Sequence, residues 1–266
     1  MLAGDDHMSL AQFLQWNVSL FLLILSRLAG MIMLAPVFGA RGVPSMVKLG
    51  LAVGLSIILY PLIQATNPMI PETVLLYAAL VAKETLVGLV IGFIIYSLTA
   101  ILEGAGQLID LQMGFTMGNL IDPVYGMQSP MMGNFQLILA TMLLLGTNAH
   151  HYLIAAMVKS YAYIPVSPTA LPQGIDFYVK LVLAVFSLSV QLALPVIGAL
   201  VIADIGVGLL SRAVPQLNIF TVTFPVKIIF GFVILFLAMP FFGEAINNLF
   251  NTSMTWILQL YQGWKP

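Results

Sequence analysis

Apolar residues gather into six runs along this chain, at roughly residues 10–35, 47–65, 74–102, 135–158, 177–208 and 226–250. Each run is near or above the ~20 residues a helix needs to cross a bilayer. The runs are continuously apolar rather than alternating with period 2, which argues against a membrane β-barrel, and a backbone in lipid must satisfy its hydrogen bonds within its own segment. The pattern therefore predicts an all-α integral membrane protein of about six hydrophobic helical segments, forming one domain over residues 1–266. Breakers separate the runs at 36–44, 61–71, 104–134, 165–174 and 214–225, and Pro215 and Pro225 are expected to break the helix that follows the fifth run.

The polar exceptions carry the information. LLSRAVPQLNIF, residues 209–220, sets Arg212, Pro215, Gln216 and Asn218 into an apolar background, where a lipid-facing helix has no use for them. The connection 103–134 is stranger: it holds Glu103, Asp110 and Asp122, no lysine or arginine, and five of the chain's 15 methionines. It is too apolar for a solvated loop and too rich in glycine and proline for a lipid-exposed helix. Irregular backbone at membrane depth persists only inside protein or along a cavity, so this stretch belongs inside an assembly. Methionine's unbranched chain repacks readily, which suits a deformable seal as well as ordinary core filling.

Other charges fall inside the runs. Glu103, Gln107 and Asp110 lie at i, i+4 and i+7, on one face if the helix continues through Gly104 and Gly106. A carboxylate at the centre of a membrane helix costs about 3 kcal/mol, so that face should meet water or protein, as partnered contacts or as a proton relay. Arg27, Lys83, Glu84 and Glu244 need partners for the same reason, and adjacent Lys83 and Glu84 point about 100° apart. Asp204 and Arg212 share a face if their helix survives Gly206 and Gly208. Glycine pairs at 50/54, 88/92 and 114/118 would make flat faces for close helix packing.

Composition agrees with the pattern: 61% of residues are hydrophobic and 7% charged, with a mean hydropathy of +1.04. A net charge of −1 disfavours nucleic acid as a partner, and the absence of cysteine removes disulfides and thiolate metal sites. Asp5 and Asp6 stand where a secretory signal would be basic, so the first run is expected to be retained, and the function is expected to lie within the membrane layer. Arg41, Lys48, Arg212 and Lys227 outnumber Lys159, Lys180 and Lys265 only slightly, too small a bias to set the orientation, though it favours an external N-terminus.

Signatures of catalysis are missing: no G-x-S-x-G elbow, no phosphate-binding loop and no complete dinucleotide fingerprint. Adjacent His150 and His151 are badly spaced for two metal ligands on one helix face. Asp110, Asp122 and Asp204 offer an aspartyl pair only in principle. A non-enzymatic protein without cofactor or metal is expected. The competing reading is a secondary transporter with Glu103, Asp110 and Lys83 as an ion relay.

Four motifs, in order, resemble one family. P-V-F-G (Pro36 to Gly39) with Arg41, K-E-x-x-x-G (Lys83 to Gly88), G-x-x-I-D-x-Q-x-G (Gly106 to Gly114) and L-L-S-R-x-x-P-Q-x-N (Leu209 to Asn218) are similar to the FliR/SctT family of flagellar and injectisome export-apparatus proteins. The resemblance covers nearly the whole chain, and the flagellar branch fits best. It implies one copy of this chain assembled with several copies of FliP and FliQ, beside FlhB, as the export gate of a type III secretion system. That gate stands in the bacterial inner membrane at the flagellar basal body and passes unfolded export substrates, driven by a proton gradient and a cytosolic ATPase. Hydropathy would then overcount true spans, because in the family the helices stand partly out of the bilayer. The resemblance also implies a plug over residues 106–132, with Met113, Phe115, Met117, Met127, Met131 and Met132 as seal residues. The motif fixes Gly106, Asp110, Gln112 and Gly114 within it. Subunit packing would fall to Arg41, Lys83, Glu84, Glu103, Asp204, Arg212, Pro215, Gln216 and Asn218.

Overall fold

The computed structural model describes residues 10–36, 38–39, 42–115, 130–167, 174–214 and 219–263. These residues form seven helices and no strand: α1 (Leu10–Leu34), α2 (Ser45–Gln64), α3 (Val74–Met113), α4 (Met131–Gly146), α5 (Ala149–Tyr163), α6 (Ile175–Ala213) and α7 (Ile219–Gly263). Four are long and apolar enough to cross a membrane, namely α2, α3, α6 and α7 from Val222, and a fifth span arises if α4 and α5 count as one broken span. The all-α membrane class read from the sequence is the observed one.

The helices differ from the predicted runs where proline and glycine were weighted too heavily. Pro61, Pro195, Pro225 and Pro240 all lie inside helices, so Pro225 does not break α7 as expected. Neighbouring helices and local hydrogen bonds can re-satisfy the carbonyls that such prolines free. Likewise α3 passes through Gly104 and Gly106 to Met113, so residues 103–113 are helical rather than irregular. Conversely, the fourth run is two helices, because Asn148 takes φ 56, a left-handed conformation that asparagine tolerates better than most residues.

The chain folds as two compact units, Met1–Tyr96 with His150–Gly174 and Thr255–Pro266, and Ser97–Ala149 with Ile175–Met254. In the first, α1 and the early part of α3 bury facing stripes at helical spacing, Ile24, Leu28 and Met31 against Val87, Ile91 and Ile94. Their backbones approach closely because glycine lies on both sides of the contact. A Cβ on Gly30 would stand 2.8 Å from the Thr85 carbonyl oxygen, one on Gly92 would stand 2.9 Å from that of Met31, and one on Gly88 would run into that of Arg27. The glycine pair 88/92 thus packs as its spacing predicted, whereas Gly50 and Gly54 have nothing within 4 Å.

In the second unit the remainder of α3 is again central, burying Ile101, Ala105 and Ile109 along one stripe. Leu192, Val196 and Leu200 of α6 and Phe242, Ile246 and Leu249 of α7 are buried at the same spacing. In the apolar windows of the long helices, 61% of α3 is buried, against 22%, 22% and 11% for α2, α6 and α7, so three of the four present broad apolar faces outward. Faces of that kind belong against lipid or other subunits.

Candidate functional site

The G-x-x-I-D-x-Q-x-G motif occupies the last turns of α3, in the second unit, and each of its fixed residues does separate physical work there. Gly106 lets α4 approach, since a Cβ at that position would run into the backbone of Gly133. One turn on, the Asp110 carboxylate accepts the Met132 N–H through both oxygens, at 3.1 and 3.2 Å. That donor is one of the four an α-helix leaves unpaired at its N-terminus. The N-cap position of α4 is Pro130, which has no side-chain oxygen to offer, so the cap comes from α3 instead. A carboxylate at a helix N-terminus also meets the positive end of the helix dipole.

Gln112 donates to Asp204 on α6 at 3.0 Å, and Asp204 in turn pairs with Lys227 on α7 at 2.8 Å. This short network ties three helices beside the cap. Gly114 then ends α3 with φ 88; its N–H reaches the Leu111 carbonyl at 3.3 Å and the Phe115 N–H reaches that of Asp110 at 3.0 Å. Those two bonds are a Schellman motif, whose left-handed residue favours glycine. Phe115 meets Phe232 edge-on at 6.2 Å, and Met113 is fully buried against Gly231. Met132 is buried and Met131 exposed.

The result is a clasp. The chain leaves α3 at Gly114 and returns at Pro130, and Asp110 holds the two ends together. Residues 116–129, including Met117, Asp122 and Met127, lie outside the described residues, as do Arg41, Pro215, Gln216 and Asn218. The motif residues Gly106, Asp110, Gln112 and Gly114 thus shape the end of α3 and fasten it to α4 and α6.

The first unit holds a second polar site. Arg27 Nε donates to Glu84 at 2.6 Å, and both side chains are fully buried. Arg27 also donates to Ser160 at 3.3 Å and lies 4.1 Å from the centre of the Tyr161 ring, while the Tyr161 hydroxyl donates to the Ile24 carbonyl at 3.2 Å. The arrangement joins α1, α3 and α5. Lys83 donates instead to the Ser167 carbonyl. The K-E-x-x-x-G motif thus supplies the anion for Arg27 at Glu84 and the close approach to its backbone at Gly88. In P-V-F-G, the Gly39 carbonyl accepts from Lys48 at 2.8 Å.

Arg27 has in Glu84 the partner that its place in the first apolar run called for, whereas nothing in the sequence marks Gly30 as the close contact of α3 that it is. Asp204 and Arg212 lie on one unbroken helix, but they do not bridge: Asp204 has its partners on other helices, and Arg212 is exposed at the end of α6 with no ion pair among the described residues. Glu103 is half-buried and Gln107 exposed. The groups proposed for an ion relay are not gathered within either unit, since Lys83 belongs to the first and Glu103 and Asp110 to the second. Among the described residues, no group of three or more histidine, cysteine or acidic side chains is placed to hold a metal ion.

Comparison with known proteins decides the family, because the model for bacterial export proteins, family 1, matches residues 18–253. The chain belongs to that family. This family 1 export protein is 36% identical over 239 residues to the flagellar biosynthetic protein FliR of Bacillus subtilis strain 168, covering 88% of this chain and 91% of that one. It is 30% identical to FliR of Escherichia coli K12, over 90% and 91% of the two chains. The Yop proteins translocation protein T of Yersinia pestis is 28% identical, over 82% and 85%. The resemblance carried by four motifs is therefore a family relationship along most of the export protein's length.

Proposed function

We propose that this chain is a subunit of the export gate of a type III secretion system, of the flagellar kind. It assembles as a single copy with FliP and FliQ, beside FlhB, into a channel that passes unfolded proteins across the bacterial inner membrane. The observation that carries this reading is the clasp at Asp110, which anchors both ends of a methionine-rich segment free of lysine and arginine. A gate wide enough for an unfolded chain must still hold ions when idle. Soft apolar side chains that part around a passing polypeptide and close behind it meet both demands, provided that their base does not move. The names of the relatives, flagellar FliR proteins and a Yop translocation protein, support the type III assignment.

No catalytic step is needed, and energy is supplied from outside this chain. The test is co-expression with FliP and FliQ followed by a mass measurement of the intact complex. One copy of this chain in a stable complex with both partners is the expected result. Purification of the chain alone, with coupled solute flux in vesicles, would reject the reading in favour of a transporter.

A further inference from the structure

Along α7 the apolar pattern changes abruptly after Gly243. From there to Thr255 the sequence reads EAINNLFNTSMT, and Glu244, Asn248, Asn251 and Thr255 recur at i, i+4, i+7 and i+11 on one helical face. In the second unit, Glu244 and Asn248 of this face border a cavity of about 290 Å³ between α6 and α7, lined also by Gln191 and Thr252 among apolar neighbours that include Leu188 and Phe241. Glu244 and Asn248 are exposed, so the groove opens outward.

The charge of this groove is one-sided, because Glu244 is its one ionisable group. Gln191 donates one amide N–H to Ser187 at 3.1 Å, which leaves its amide oxygen and its second N–H free to meet a ligand. Thr252 spends its hydroxyl proton on the Asn248 carbonyl at 2.9 Å and retains only acceptor capacity. The Glu244 carboxylate accepts and cannot donate. No cation among the described residues compensates it, since the ion pairs there are Arg27–Glu84 and Lys227–Asp204. A carboxylate with no ion-pair partner among the described residues, beside the amide oxygens of Gln191 and Asn248 and the hydroxyl oxygen of Thr252, in a helix otherwise suited to lipid or subunit contact, suits a donor-rich cation. A guanidinium, planar and carrying five N–H donors, complements that set better than any neutral group.

We propose that the groove at Glu244 seats a basic side chain, best an arginine, of a neighbouring subunit in the assembled complex. This rests on the reading of the chain as an export-gate subunit. Association buries the groove, so the pair forms in a low dielectric, with its remaining donors taken up by Gln191, Asn248 and Thr252. The groove then fixes the register of one partner helix along α7.

The test uses the co-expressed complex carrying p-benzoylphenylalanine at Phe241, which lines the groove and leaves its polar groups intact. Irradiation should give one crosslink, to a partner-subunit peptide that contains an arginine or lysine. Glu244→Arg should lower the yield of intact complex by about tenfold, with Glu244→Gln intermediate. Reversing the charge of the crosslinked cation should restore the Glu244→Arg complex. Because Glu244 is exposed in the chain itself, the membrane level and protease resistance of both variants should stay at the unsubstituted level. Crosslinks to lipid or export substrate only, a Glu244→Arg complex at full yield, or no rescue by charge reversal would each overturn the proposal while leaving the export-gate reading standing. A chain that captures no other subunit would overturn both.

Discussion

At the level of single residues, Asp110 shows how a costly group is held in an apolar setting. Its carboxylate is buried, yet both oxygens are occupied by a backbone donor that has no other partner. Asp110→Ala strands that N–H and should cost about 1–3 kcal/mol. Asp110→Asn keeps one acceptor and loses mainly the interaction with the helix dipole, about 0.3–1 kcal/mol. Thermal unfolding in detergent should therefore rank the variants with alanine lowest, and amide exchange at Met132 should accelerate in both. Equal stability of all three proteins would refute the cap. Gly114 is constrained differently, by φ 88 and by Phe224, whose ring would lie 2.8 Å from any Cβ there. Gly114→Val should lose more than the roughly 1–2 kcal/mol of a left-handed residue, because the branched chain also meets that ring.

Between elements, the glycines separate contacts made within the chain from faces that await something else. Gly88→Ala forces the Arg27 backbone away and should destabilise the detergent-solubilised chain, whereas Gly54→Ala meets nothing and should gain up to about 1 kcal/mol of helix propensity. A loss at Gly54 in the chain alone would contradict this division. The sequence could not make it, since both pairs have the same spacing and only the fold shows which face a neighbour reaches. The Arg27–Glu84 pair obeys a related rule: its fully buried state makes removal of one partner expensive, about 3–5 kcal/mol, while replacing both by apolar residues can restore stability. Arg27→Met should therefore be rescued by adding Glu84→Leu, as measured by melting temperature. Periodicity found the membrane helices and their approximate number because burial in lipid or protein imposes it directly. It misplaced the end of α3 and the course of α7, where tertiary contacts outweigh the local cost of Gly104, Gly106 and Pro225. The motif at 106–114 was legible as a group of polar residues, but its action as a clasp was not, because Met132 lies 22 positions from Asp110.

For the whole molecule, the question is which parts serve this chain and which serve the assembly. Arg212 ends α6 exposed and without an ion pair among the described residues, so Arg212→Ala should leave the chain's own stability within about 0.5 kcal/mol and yet reduce its recovery with FliP and FliQ. Unchanged recovery would remove it from the subunit contact. The seal calls for a more selective change. Deleting residues from Met113 onward would damage the second unit itself, since Met113 is part of its core and Gly114 terminates α3. A deletion confined to 116–129, joined by a short glycine-serine bridge, keeps the Schellman turn, the Asp110 cap and the contact of Phe115 with Phe232. If the segment is the idle seal, that variant should assemble with unaltered mass apart from the deletion and conduct ions when reconstituted without substrate. Conductance equal to that of the intact complex would place the seal elsewhere, and failure to assemble would make the segment a subunit contact instead. The frame and the seal thus make opposite demands, and the same complex can distinguish them: Asp110→Ala loosens the base and should raise conductance along with flexibility, whereas the deletion removes the barrier and leaves the base rigid.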